Sequence, residues 1–267
     1  MLFVGCGESQ TQSDSTDASA AAKEEQDAAI EKKEQDAAVA IEKQKQDVAV
    51  AAIRKLGGKV TLDEENPGRP LSVNFYGSKV TDAGLEHLKG LAKLQTLALQ
   101  RTNVTDAGLV HLKGLTKLQM LNLEGTKVTD AGLVHLKGLT SLQTLWLTDT
   151  KVSDAGLVHL KGMTSLQSLE LSRTNVTDAG LEHLTGLTSL QSLFLSNTKV
   201  TDAGLVHLKG MTKLQELSLD KTEVTDAGLA HLKGLTSLGF LSLKGTKVTD
   251  AGVKDLQAAL PKCEILK

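Results

Sequence analysis

Val104-Thr105-Asp106-Ala107-Gly108-Leu109-Val110-His111-Leu112-Lys113-Gly114-Leu115-Thr116-Lys117-Leu118-Gln119-Met120-Leu121-Asn122-Leu123-Glu124-Gly125-Thr126-Lys127 is one period of a repeat. Its opening string V-T-D-A-G-L begins at Val80 and returns at Val104, Val128, Val152, Val176, Val200, Val224 and Val248, each step being 24 residues. Ser153 stands in for the Thr of that string in one copy, and Val253 for the Leu in the last. All seven histidines fall in the same register, from His87 to His231. A fixed period of this length marks a stacked repeat architecture rather than a single folded core.

Each period has two halves. In L-x-x-L-x-L, seen at Leu94, Leu97 and Leu99 and again at Leu142, Leu145 and Leu147, the last two leucines are two apart and point to one face of a strand. In T-D-A-G-L-x-H-L-K-G, Thr105 or Asp106 can cap a short helix by accepting from its free N–H groups. Asp106 at the start and Lys113 near the end suit the helix dipole. Gly114 fits a left-handed position just past the helix. Leu109 and Leu112 share a helix face. A strand, a turn and a short helix in 24 residues cannot bury their own apolar surface, whereas stacked copies can.

From about Pro70 to Val253 this pattern resembles the leucine-rich-repeat family. The family signature L-x-x-L-x-L-x-x-N/C-x-L reads here as Leu118, Leu121, Leu123, Thr126 and Val128. The chain departs from it at one point: Thr replaces Asn or Cys at Thr102, Thr126, Thr150, Thr174, Thr198, Thr222 and Thr246, with Ser78 in the first unit. A Thr hydroxyl satisfies turn backbone groups as Asn does, more weakly. The T-D-A-G-L segment is similar to the cysteine-containing repeats of F-box substrate receptors, and more closely to repeats of planctomycete-type bacterial proteins. The resemblance implies an α/β solenoid, a horseshoe with a parallel sheet on the concave face and short helices on the convex one. Strands about 4.8 Å apart make the units span roughly 35 Å on that face.

The ends break the repeat, as solenoid caps must. Residues 254–267 read as a C-terminal cap: a helix from Lys254 to Leu260, a stop at Pro261, and a last strand at Cys263 to Leu266. Residues 57–75 form the other cap, with short strands at Lys59–Leu62 and Val73–Phe75 around a Pro/Gly turn, and residues 76–253 hold the repeats. Residues 20–56, rich in Ala, Glu, Lys and Gln, form a helical stalk whose last turns cover the solenoid edge. The stripe Ile30, Ala37, Ile41 and Val48 also permits self-association. Residues 7–19 are polar and expected to be a disordered tether. Residues 1–6 end in Phe3-Val4-Gly5-Cys6, which resembles the close of a bacterial lipoprotein signal. That resemblance implies lipidation at Cys6 after cleavage behind Gly5, with an upstream start supplying the positively charged and apolar stretches missing here. The implied location is the cell envelope, lipid-anchored, and otherwise the cytoplasm.

Composition narrows the functions. Charged residues are 23% and the net charge is −2, with no basic stripe for nucleic acid. Aromatics are 2%, so leucine and valine must build the core. Two cysteines at opposite ends, Cys6 and Cys263, exclude a disulfide framework. The His column occupies equivalent places in successive units, so its side chains run parallel rather than converging on a metal. One Asp per unit, from Asp82 to Asp250, reads as a cap rather than a calcium site. There is no G-x-S-x-G, phosphate-binding Gly loop or H-E-x-x-H. Neither an enzyme nor a cofactor is expected.

The informative positions vary while the frame stays constant. On the strand and just after it, the non-leucine positions face the concave side. They hold Arg101, Met120, Trp146, Asp149, Glu170, Arg173, Phe194, Glu216 and Phe240, with Tyr76 joining at the N-terminal end. Scarce aromatics exposed on such a face add nothing to stability, whereas interfaces favour aromatic and Arg anchors. The expected function is a non-catalytic scaffold that holds a protein partner there, the aromatics binding and Arg101 and Arg173 adding specificity. The protein is expected to be a monomer. The alternatives are an F-box-like intracellular adaptor, against which the polar residues 1–69 argue, and a self-assembling structural envelope protein.

Overall fold

A computed structural model of the chain describes residues 13–65 and 70–267. The expected lipidation site at Cys6, the first part of the polar tether and the Pro/Gly turn at Pro67-Gly68 lie outside the described residues. The chain divides into two compact units, Met1–Lys45 and Gln46–Lys267.

Helix α1 runs from Ser13 to Lys55. It therefore takes in Ser13–Ser19, expected in the tether: Ser and Asp are favoured at a helix start, and the Ala-rich run behind them propagates the helix. From Lys23 to Lys45 every residue is exposed. Arg54 and Lys55 place positive charge in the last turn. The helix stops at Gly57, whose φ of 86° suits glycine alone, with Gly57 N–H donating to the Arg54 carbonyl and Gly58 N–H to the Ile53 carbonyl. In the second unit, the final turns bury Ala49 and Ile53 in the core, and Val50 is buried as well.

That core lies under a ten-stranded sheet in chain order. Strand β1 (Lys59–Leu62) pairs antiparallel with β2 (Pro70–Asn74). The repeats then supply β3 (Thr96–Ala98), β4 (Met120–Asn122), β5 (Thr144–Trp146), β6 (Ser168–Glu170), β7 (Ser192–Phe194), β8 (Glu216–Ser218) and β9 (Phe240–Ser242), all parallel. Strand β10 (Glu264–Leu266) lies last in the sheet, parallel to β9. The register is in step throughout: Leu97, Leu121, Leu145, Leu169, Leu193, Leu217 and Leu241 are directly opposed and fully buried. The preceding helix begins at Asp250, four residues before the sequence reading, because the T-D-A-G segment of the last unit starts it and Thr249 caps it.

The Thr that replaces Asn has a definite role. Thr126 Oγ1 donates to the Leu123 carbonyl at 2.6 Å, and Thr102, Thr150, Thr174, Thr198 and Thr222 repeat the bond at the same length. These buried hydroxyls satisfy a carbonyl at the end of each strand, where an unpaired group would cost about 1–3 kcal/mol.

The T-D-A-G string works between units rather than within one. Thr129 caps its own helix by accepting from Ala131 N–H at 3.3 Å. Asp106 is not a cap. Its Oδ1 accepts from Thr129 N–H at 2.7 Å and its Oδ2 from Thr129 Oγ1 at 2.6 Å, one unit further on. The same two-bond link joins Asp82 to Thr105, Asp130 to Ser153, Asp154 to Thr177, Asp178 to Thr201, Asp202 to Thr225 and Asp226 to Thr249. The following Gly lies against the same carboxylate, leaving no room for a side chain. Asp250, in the last of these strings, pairs instead with Lys267.

The last of these links, from Asp226 to Thr249, is acid-labile. Hydrogen bonds from Thr249, side chain first and then backbone, hold the Asp226 carboxyl below its ordinary 3.8. The carboxylate is thus easier to protonate in the unfolded chain than in the folded one. Its contribution is complete above about pH 4 and is lost as pH falls through the lowered native value. An Asp226→Asn variant is expected to lose stability at pH 7 and to show a smaller loss between pH 4 and pH 2 than the wild type. Urea melts across that range measure it.

Gly114 departs from expectation. It is not in the left-handed region; in its column only Gly90 is, at φ 87°. The helix tightens to 3-10 geometry through Leu112, Lys113 keeps right-handed angles, and Leu115 N–H closes the turn on the Leu112 carbonyl, so no left-handed residue is needed.

Candidate interaction face

The leucines take one side of every strand inward, so the alternate residues are carried on the open face of the sheet. Register places Asn122, Trp146, Glu170, Phe194 and Ser218 side by side across β4 to β8. Trp146 and Phe194 are therefore two strands apart, about 10 Å, with Glu170 between them. Both residues are half-buried, with part of each side chain reaching solvent. A parallel row holds Met120, Thr144, Ser168, Ser192, Glu216 and Phe240. Glu216 is exposed, accepting a bond from Ser192 Oγ at 3.2 Å, and Phe240 lies directly beside it.

Some expected contacts are already engaged. One Glu170 oxygen accepts from Ser172 N–H at 2.8 Å, which leaves only the other for a partner. Asn122 and Asn74 serve their own backbones in the same way. At the N-terminal end Tyr76 is 55% exposed, Arg101 Nη1 donates to its hydroxyl at 3.4 Å, and the Arg101 guanidinium lies 5.9 Å from the ring centre. Arg101 also faces Glu124 at 3.8 Å while remaining 65% exposed. Tyr76, Arg101 and Glu124 thus form a corner set apart from the Trp146–Phe194 pair.

The turn just past the strands holds a feature the sequence reading passed over. Arg101, Asp149, Arg173, Asn197 and Lys221 all have φ between 53° and 57°, in the left-handed region that costs a non-glycine residue about 1 kcal/mol or more. Gly77, Gly125 and Gly245 occupy the same column at φ of 64° to 72°. The conformation is imposed because each of these N–H groups reaches the next unit: Arg101 to the Glu124 carbonyl, Asp149 to Ser172 and Arg173 to Ser196. The signal was present in the sequence, since Gly77, Gly125 and Gly245 align with Arg101, Asp149, Arg173, Asn197 and Lys221 at multiples of 24. Arg173→Gly is expected to raise unfolding stability by about 1 kcal/mol, as read by urea denaturation. An unchanged or lowered stability would remove the strain argument.

The His column lies on the helical side, each His half-buried. Nδ1 of His111, His135 and His183 is buried without a hydrogen-bond partner. Among the described residues no three His, Cys, Asp or Glu side chains come together as metal ligands would. Cys263 is buried in the C-terminal cap, where desolvation, with Glu264 nearby, pushes its thiol pKa up. It is suited to packing rather than to nucleophilic chemistry.

Comparison with known proteins supports this frame. The leucine-rich-repeat family model matches residues 140–200. The crystal structure of an internalin C2 from Listeria monocytogenes str. 4b F2365 superposes with a TM-score of 0.62 at 30% identity, over 74% of this chain and 80% of that one. The chain belongs to the leucine-rich-repeat family. A comparison with curated proteins found no match. The leucine-rich-repeat fold is that of a protein-binding scaffold, and the open strand face is where this member varies from unit to unit while its frame repeats.

Proposed function

We propose that this leucine-rich-repeat protein is a non-catalytic scaffold that holds a protein partner on the open strand face, tethered to the bacterial cell envelope through Cys6. The observation that carries the reading is the Trp146–Phe194 pair, two half-buried rings bracketing Glu170 in one register row. In a chain with 2% aromatics, placing them there without a ligand would expose apolar surface for no gain. The left-handed charged residues beside them add directed polar contacts. The long single helix α1 favours a stalk over the compact helical domain of an F-box adaptor.

Cross-linked capture from the native cell tests this, comparing wild type with Trp146→Ala/Phe194→Ala. A partner present with the first and absent with the second is the expected result. Partners retained unchanged by the double variant would place binding elsewhere. Mass analysis of the mature N-terminus tests the tether separately: a lipidated Cys6 is expected, and an unmodified one refutes anchoring.

A further inference from the structure

We infer that helix α1 associates with α1 of a second copy as a short antiparallel pair. Ile30, Ala37, Ile41 and Val48, spaced by seven, four and seven residues, fall on the two core positions of a coiled-coil repeat, Ile30 and Ala37 on one and Ile41 and Val48 on the other, with Glu34 and Gln44 filling the remaining core places. Ile30, Ile41 and Val48 are 47%, 54% and 65% exposed. The stripe continues into the last turns, where Ala49, Val50 and Ile53 are buried on one side while Val48 and Ala51 stay open on the other. Val48, the seam residue within these turns, is thus not among those seated in the core.

Charge decides the orientation. In a parallel pair Glu34 would meet Glu34 of the other copy in the core, which is repulsive. Antiparallel alignment matches residues whose numbers sum to 78. Ile30 then meets Val48, Ala37 meets Ile41, and Glu34 meets Gln44. The flanks are offset from that core sum by two: on one side facing numbers sum to 76, so Glu31 faces Lys45 and Ala38 faces Ala38 of the other copy, and on the other side they sum to 80, so Lys33 faces Asp47 and Ala40 faces Ala40. One sequence supplies both halves of each match, as a two-fold interface requires. Val39 lies outside the seam.

Sedimentation equilibrium on the full chain, at concentrations up to roughly 1 mM, is expected to show a reversible dimer. Glu31→Lys sets two lysines together at both ends and is expected to weaken it about tenfold. Adding Lys45→Glu restores it. In a Cys6→Ser background, Glu34→Cys mixed with Gln44→Cys should form an interchain disulfide, and Gln44→Cys alone should not. A monomer at every concentration, no restoration by the swap, or cross-linking of Gln44→Cys with itself would each overturn the inference. None of these readouts depends on a partner at the strand face.

Discussion

Gly156→Ala is expected to destabilise the repeat domain by about 2–3 kcal/mol, an unusual loss for one added methyl group. A Cβ at Gly156 would sit 2.5 Å from Asp130 Oδ1, 3.0 Å from Leu133 Cδ1 and 3.2 Å from the Asp130 Cα. The carboxylate cannot swing aside freely, because it is held by Ser153 N–H at 2.7 Å and Ser153 Oγ at 2.6 Å. The methyl must therefore break that link or push the two units apart. Gly138→Ala is the control: nothing lies within 4 Å of its Cβ and its φ is not positive, so it should be neutral or slightly stabilising. In an Asp130→Ala background the cost of Gly156→Ala should shrink by about 1 kcal/mol or more, a coupling between neighbours that a double-mutant cycle isolates. Equal small effects at Gly138 and Gly156 would refute the role given to the Asp–Gly contact.

Once the partner is captured, Trp146→Ala/Phe194→Ala is expected to reduce its affinity about a thousandfold, from about 2 kcal/mol for each ring. The frame should survive, since Leu145, Leu147, Leu193 and Leu195 carry the core beneath these positions and are fully buried. Each single variant should lose about thirtyfold. Val134→Ala and Val158→Ala, about 43% and 42% exposed on the helical side, provide the comparison and should leave affinity unchanged. Isothermal titration on folded variants measures all five. A double variant within a few fold of wild type would show that the rings are not anchors.

The fold was legible in the sequence because the repeat states the same constraint many times. Leucines at fixed places fix a buried side, and the period fixes the strand register. The concave candidates were legible for the complementary reason: they are the places the frame leaves free. The links between units were not. Asp106 next to Thr105 reads as local capping, since sequence adjacency shows neighbours along the chain and not the Thr129 that stacking brings to its carboxylate. The error at Gly114 has the same origin, because whether a short helix ends in a left-handed turn depends on how its last turn tightens. The left-handed column went unnoticed because Arg, Asp, Asn and Lys mask a conformation that glycine would have advertised. Glu170 looked free because its bond to Ser172 N–H depends on the turn geometry after β6.

Hydroxyl-radical footprinting of the full chain, alone and with its captured partner, tests the interaction face most directly. Trp146, Phe194, Phe240 and Met120 are oxidisable side chains on the open strand face, while His159 and His183 report on the helical side. Strong protection of Trp146 and Phe194 with unchanged histidines is the expected result. Protection of the histidines with Trp146 and Phe194 still fully reactive would contradict it.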